Sequence, residues 1–205
     1  MKAVAQWLII AVLASVYLLA LYAVLHPNVS RAYRSYFIDR TSSDWNPKHY
    51  PGTPDQGMSF SRSGLPEWVD TTYGLSIRDD RGRWTDSDVG GIPGLSFTQK
   101  FNGPLCLEFT ASPAPALIGK TFAVQMGNQT RTVNVIPQDF ADYQVQFAEV
   151  GGADSLSFLL LERLPRESEV DRNSGDTRRL GLELSMLKIL AGSCDSSQIQ
   201  SRGEP

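Results

Sequence analysis

The sequence predicts an all-β fold, a jelly-roll-like antiparallel β-sandwich behind a single N-terminal transmembrane helix. Three features of the 205 residues lead there: an apolar run over 3–25, short stretches of period-two alternation from Met58 onward, and glycine-containing turn dipeptides between those stretches. No long helical periodicity interrupts the series. The expected organisation is an anchor over 1–26, a connector over 27–57, a sandwich over 58–192 and a disordered polar tail over 193–205.

Ala3 to Leu25 is broken only by Gln6 and Ser15 and carries Trp7, Tyr17 and Tyr22. As a helix it measures about 35 Å, enough for a hydrocarbon core of about 30 Å. A cleaved signal peptide is the competing reading, but the run exceeds the usual apolar stretch of about 7–15 residues, and no A-x-A cleavage site follows it before His26-Pro27. Residues 3–25 are therefore expected to contact a lipid bilayer. Arg31, Arg34 and Arg40 outnumber Lys2 and favour a cytoplasmic domain, whereas long domains cross a membrane largely regardless of charge.

The connector starts with a candidate short helix over 28–38, capped by Ser30, and continues as a stretch rich in Pro, Gly and small polar residues. Its aromatics Tyr33, Tyr36, Phe37, Trp45 and Tyr50 read either as an interfacial or partner surface or as side chains packed on the domain. Strands are expected at 58–61, 73–77, 94–101, 104–111, 121–126, 130–136, 142–147, 156–162 and 180–189. Asn102-Gly103, Gly127-Asn128 and Gly151-Gly152 are the expected hairpin turns. Many short strands at this spacing make a sandwich.

Cys106 lies in one of these strands and Cys194 just after another. If the two strands are neighbours, the pair forms a disulfide suited to an oxidising compartment; otherwise both are buried or idle thiols. A net charge of −3 and a pI near 5.4 leave no basic footprint for phosphates, which excludes a nucleic-acid partner.

Two motifs invite chemistry. In Gly74 to Asp86, Arg83 offers a planar fork and Trp84 a broad apolar face, a pair able to bond the hydroxyls and stack on the ring of a sugar. The competing reading buries Trp84 in the core and pairs Arg83 with an acid such as Asp86 or Asp176. In the second motif, Asp176 with Arg178 or Arg179 reads as an ion pair closing the sandwich ahead of an apolar strand, or as a pair facing a ligand. The candidate ligand-binding set is thus Asp79, Arg83, Trp84, Asp86, Asp176 and Arg178, with Cys106 and Cys194 as the candidate disulfide.

No catalytic residue, metal or cofactor is expected. The acids Asp79, Asp80, Asp86 and Asp88 lack the EF-hand spacing, and the two His and two Cys are scattered. A G-x-S-x-G elbow is missing, His26 and His49 lie outside the sandwich, and Gly90-Gly91 and Gly151-Gly152 precede no helix signal. Glu67 and Asp70 read as exposed charges, and the polar run 165–177 as a solvated loop or, alternatively, a partner or glycan contact.

Gly74-Leu75-Ser76, Asp79 and Gly82-Arg83-Trp84-Thr85-Asp86, then P-L-C-L-E-F-T-A, F-A-V-Q-M-G and D-T-R-R-L-G-L-E-L-S-M-L-K-I, resemble a β-sandwich domain of unknown function. That domain is appended to bacterial membrane glycosyltransferases and to the phosphoglycerol transferases that decorate periplasmic glucans. Its pattern runs G-F-S-x-x-E-x-W-G-R-W-S-D and later D-x-R-x-L-G; here Asp79 replaces the Glu and Arg81 the first Trp, while Asp176, Arg178, Leu180 and Gly181 match. The resemblance covers residues 73 to 190. It implies a cell-envelope, carbohydrate-linked role; taken with the apolar run, the ready translocation of long domains and the cysteine pair, the expected setting is a bacterial inner membrane, single-pass, with the domain periplasmic. The expected function is a non-catalytic accessory protein that binds an envelope glycan or a membrane glycosyltransferase; the alternative is an envelope carbohydrate transferase with an unrecognised site. A binding module requires exposed aromatics beside the motif loops, whereas an enzyme requires a pocket holding several perturbed ionisable groups.

Overall fold

Two units make up the chain in this computed structural model, Met1–Arg31 and Ala32–Pro205. It describes residues 2–25, 29, 33–38, 46–89, 91–160 and 162–194. Trp45, His26 and the expected disordered tail over 195–205 lie outside the described residues.

The first unit is helix α1, Lys2–Leu25. Among the described residues no helix is long and apolar enough to cross a membrane, so the expected transmembrane span is not supported. In the second unit a five-residue π-helical turn covers Arg34–Ile38. Regular structure then begins inside the expected connector, where β1 (Asn46–Tyr50) runs parallel to β3 (Gly64–Pro66).

The remaining strands form an antiparallel sandwich. They are β2 (Met58–Ser59), β4 (Val69–Tyr73), β5 (Arg83–Asp86), β6 (Gly94–Pro113), β7 (Thr121–Met126), β8 (Gln129–Asn134), β9 (Ala141–Leu160) and β10 (Leu180–Ala191). One layer joins β4, the first half of β6, the second half of β9, β7 and β8. The other joins β2 and β5 to β10, then the second half of β6 and the first half of β9.

The long strands β6 and β9 correct the sequence reading. Asn102-Gly103 and Gly151-Gly152 are not hairpin turns but bends within two 20-residue strands that serve both layers. The ladder slips between Phe101 and Leu105, where Gly103 and Gly152 take φ of 82° and 67°, conformations glycine adopts at little cost. Asn102 Oδ1 accepts the Gly152 amide at 2.8 Å and pins the two bends together. Gly127-Asn128 does form the expected two-residue hairpin, between β7 and β8.

Alternation along the strands fills the space between layers. Phe109 stacks on Tyr143 with ring centroids 4.9 Å apart, and Phe122 and Phe158 meet Phe109 edge-on. Tyr143 keeps its hydroxyl satisfied by accepting the Ile136 amide. The edge of β8 is tied to β9 by side chains: Arg131 Nε donates to the Gln146 carbonyl at 3.1 Å, and Gln129 Nε2 donates to the carbonyl of Glu149.

Cys106 on β6 and Cys194 beyond β10 form a disulfide across 88 positions of sequence. Closing a loop of that length removes about 4–5 kcal/mol of unfolded-chain entropy in the chain-entropy treatment. Reduction, or Cys194→Ser, is expected to lower the unfolding free energy by about 2–5 kcal/mol, read as a shift of the urea midpoint with an added reductant.

Candidate functional site

The first motif is a β-hairpin. The Ser76 amide donates to the Trp84 carbonyl at 2.8 Å, the Asp86 amide donates to Gly74 at 2.8 Å, and Leu75 bridges Thr85. At the tip, Asp79 Oδ1 accepts the amides of Arg81 and Gly82 at 2.9 and 2.8 Å, an Asx-type turn that fixes residues 79–82. The hairpin lies on β10, pairing Arg83 with Leu184, Trp84 with Glu183 and Asp86 with Leu180. A Cβ on Gly82 would stand 2.0 Å from the Leu184 carbonyl oxygen, so only glycine lets the strands meet there. Across the slipped register, Thr85 Oγ1 accepts the Leu182 amide at 2.8 Å, and Gly181 leaves room for that hydroxyl.

This pairing separates Arg83 from Trp84, so that neither of the two readings holds for both. Arg83 is wholly buried and donates through Nη1 to the Ser76 carbonyl at 3.0 Å, so it holds the hairpin together from inside. Trp84, which the competing reading placed in the core, is only half-buried, because it sits across from Glu183 on the outer face of the sheet.

The candidate residues divide between the two ends of β5. At the Asp86 end the motifs meet. Asp176 accepts from Arg178 Nε at 2.9 Å, an ion pair local to its own loop, which holds the Asp176 carboxyl below the usual carboxylate range. Asp88 and Arg179 make the contact between motifs at 3.4 Å. The clasp borders an open pocket of about 310 Å³ lined by Phe37, Asp86, Arg166 and Arg178. Asp86 itself is buried and accepts the Asp88 amide at 2.9 Å, shaping the turn.

Asp79 belongs to the opposite end, beside residues the sequence reading had not singled out. Arg81 Nη2 donates to Glu183 Oε2 at 2.6 Å, Nη1 reaches Asp139 at 3.3 Å, and the guanidinium lies 4.9 Å above the Phe140 ring. Phe140 holds a positive φ of 51°, an uncommon cost for an aromatic residue. The Glu183 side chain is completely buried, whereas that of Arg81 remains 54% exposed, so a fixed cation faces solvent from a buried support. Phe140, half-buried, lies beneath it, and Trp84, also half-buried, pairs across from Glu183. A lone acid inside the apolar run L-G-L-E-L-S-M-L was the available sequence signal for Glu183.

Burial pushes the Glu183 carboxyl up to about 7, reinforced by the negative charge of Asp79 and opposed by Arg81. Its Oε1 is buried without a hydrogen-bond partner, so protonation places a donor beside the Asp79 carboxylate. Two carboxyl groups, Asp139 and Glu183, thus hold one guanidinium, with Asp79 beside Glu183. Among the described residues no cluster has the geometry to hold a metal ion. Occluded beneath Arg81, Glu183 acts as the seat of the arginine.

The family model of a domain of unknown function, DUF7024, matches residues 46–191. No curated protein matches the chain. One solved structure with a weakly similar fold is a mutant family 29 carbohydrate binding module complexed with mannohexaose; it is 13% identical, at 65% coverage of this chain and 89% of that one, with a TM-score of 0.37. A second mutant of the same module is 14% identical, at 64% and 89% coverage and a TM-score of 0.36.

The folded state keeps the Glu183 proton to a higher pH than the unfolded chain, whose ordinary value is 4.5. Stability is therefore expected to fall as pH rises from 4.5 to about 7 and then to level. Glu183→Gln should remove that part of the slope in urea titrations across the same window; a slope unchanged in the variant would assign it to other groups.

Proposed function

The chain belongs to the DUF7024 family of domains of unknown function, and we propose that its sandwich is a non-catalytic glycan-binding module whose site is the Arg81 shelf. One observation carries this reading: Arg81 is locked between Glu183, Asp139 and the Phe140 ring while its side chain stays half-exposed, on the strand face where Trp84 pairs with Glu183. A sugar presents apolar C–H faces and paired hydroxyls. Trp84 and Phe140 supply surfaces for the first, and the fixed guanidinium, with the exposed Asp139 carboxylate, supplies donors and acceptors for the second. Because internal contacts already hold Arg81, binding orders little further side-chain freedom.

The setting belongs to the same proposal. Residues 3–25 hold the chain to a bilayer, and the domain works on the periplasmic side of a bacterial inner membrane, beside a glycosyltransferase of envelope polysaccharide. Helix α1 is apolar around its circumference and exposes Trp7, Tyr17, Leu19 and Tyr22, a surface that water does not cover favourably. The Cys106–Cys194 disulfide fits an oxidising compartment. The motif resemblance described above supports the glycosyltransferase link.

Glycan-array binding by the detergent-purified full chain tests the site. Trp84→Ala and Arg81→Ala are each expected to weaken retention about tenfold or more, with the disulfide and thermal transition kept. Equal retention by both variants and the parent chain would refute the assignment. The setting predicts an active alkaline phosphatase fused after Pro205 and resistance of the chain to alkaline extraction from membranes; an inactive phosphatase with an active cytoplasmic reporter would place the domain on the other side.

A further inference from the structure

The shelf does not end at Arg81. On the outer face of the sheet, β10 pairs Glu183 with Ser112 and Met186 with Thr110, and the slip between Leu184 and Met186 absorbs one residue. Ser112 and Thr110 are two apart on β6 and share a face, so Glu183 and Met186 share it as well. Trp84 lies across from Glu183, and Ser59 lies across from Met186. The outer face therefore carries Trp84 and Ser59 in one row along the two edge strands, about 7 Å apart by the rise of the two β6 residues opposite.

At the Ser59 end the row opens into a pocket of about 370 Å³ lined by Tyr50, Gln56, Ser59, Arg62 and Met186. Its chemistry repeats that of the shelf. The Arg62 guanidinium stands 4.9 Å over the Tyr50 ring, as Arg81 stands over Phe140. Ser59 and Ser61 share a hydrogen bond at 2.8 Å, and Met186 is 36% exposed, an apolar floor beside these polar groups. Gln56 uses its amide oxygen on the Thr53 N–H, leaving its NH2 group to bond a ligand. Arg78, in the motif hairpin, donates through Nη1 to the Ser61 carbonyl at 3.1 Å and ties the rim of this pocket to the shelf.

We infer that the Tyr50–Arg62 pocket is a second saccharide subsite, continuous with the Arg81 shelf along β10, and that the protein binds a linear oligosaccharide rather than a single sugar ring. The inference rests on the glycan reading of the shelf. A ligand one ring long fills either the shelf or the pocket, whereas a chain long enough to span both gains the second set of contacts without a second loss of translational freedom.

The test uses the full chain in detergent with fluorescent ladders of linear α- and β-linked gluco-oligosaccharides, from single rings to chains longer than the row. Affinity is expected to rise about tenfold or more once a chain spans both ends. Tyr50→Ala and the exposed-site variant Gln56→Ala are expected to flatten that rise while leaving the short members bound. Trp84→Ala is expected to weaken every length. Affinity independent of length, or a rise preserved in both pocket variants while Trp84→Ala still weakens binding, overturns the second subsite and leaves the shelf standing. Failure of every ladder member to bind overturns both readings.

Discussion

Everything characteristic of this domain depends on how closely the hairpin at 74–86 can lie on β10. The approach is set at Gly82, where any Cβ would collide with the Leu184 carbonyl. With the strands that close, Arg83 enters the interior and bonds the Ser76 carbonyl, while Thr85 takes over the Leu182 amide that the slipped ladder leaves unpaired. A buried cation and a buried amide are costly unless bonded. The hairpin is thus held by groups whose satisfaction requires it to stay seated. Its tip then places Arg81 over Glu183 as a matter of register.

The shelf shows how burial makes a surface cation specific. An arginine on a flexible loop samples many directions and gains little from an exposed carboxylate. Here the carboxylate beneath it is removed from water and the ring beneath it belongs to a strained Phe140. Both features reduce the freedom of the guanidinium and leave its outer edge open to solvent. Asp79, which turns the tip by accepting two amides, also raises the cost of charge on Glu183, so turn geometry and site electrostatics are coupled through one side chain.

The bends in β6 and β9 account for the breadth of the outer face. Separate short strands would end at each glycine pair; instead the chain runs on, and the Asn102 to Gly152 hydrogen bond keeps the two bends in step. The layer that carries the shelf therefore has long inner strands behind it and is stapled at its far side by Cys106–Cys194.

From the sequence alone came the all-β class, the β7–β8 hairpin, the pairing option for Cys106 and Cys194, and the importance of the two motifs, because alternation, turn chemistry and glycine placement are local properties. The same local signals misassigned Asn102-Gly103 and Gly151-Gly152, since a bend and a turn use the same residues and differ only in what the next strand pairs with. Tertiary structure alone decided that Arg83 points in and Trp84 out, because a slip of one position in register exchanges the faces of a strand. It also decided that Asp79 parts from Asp86 and Asp176: they lie at opposite ends of β5, a separation that pairing with β10 fixes. Glu183, an isolated acid in an apolar strand, acquired its meaning only when the fold brought Arg81, 102 positions away, to cover it.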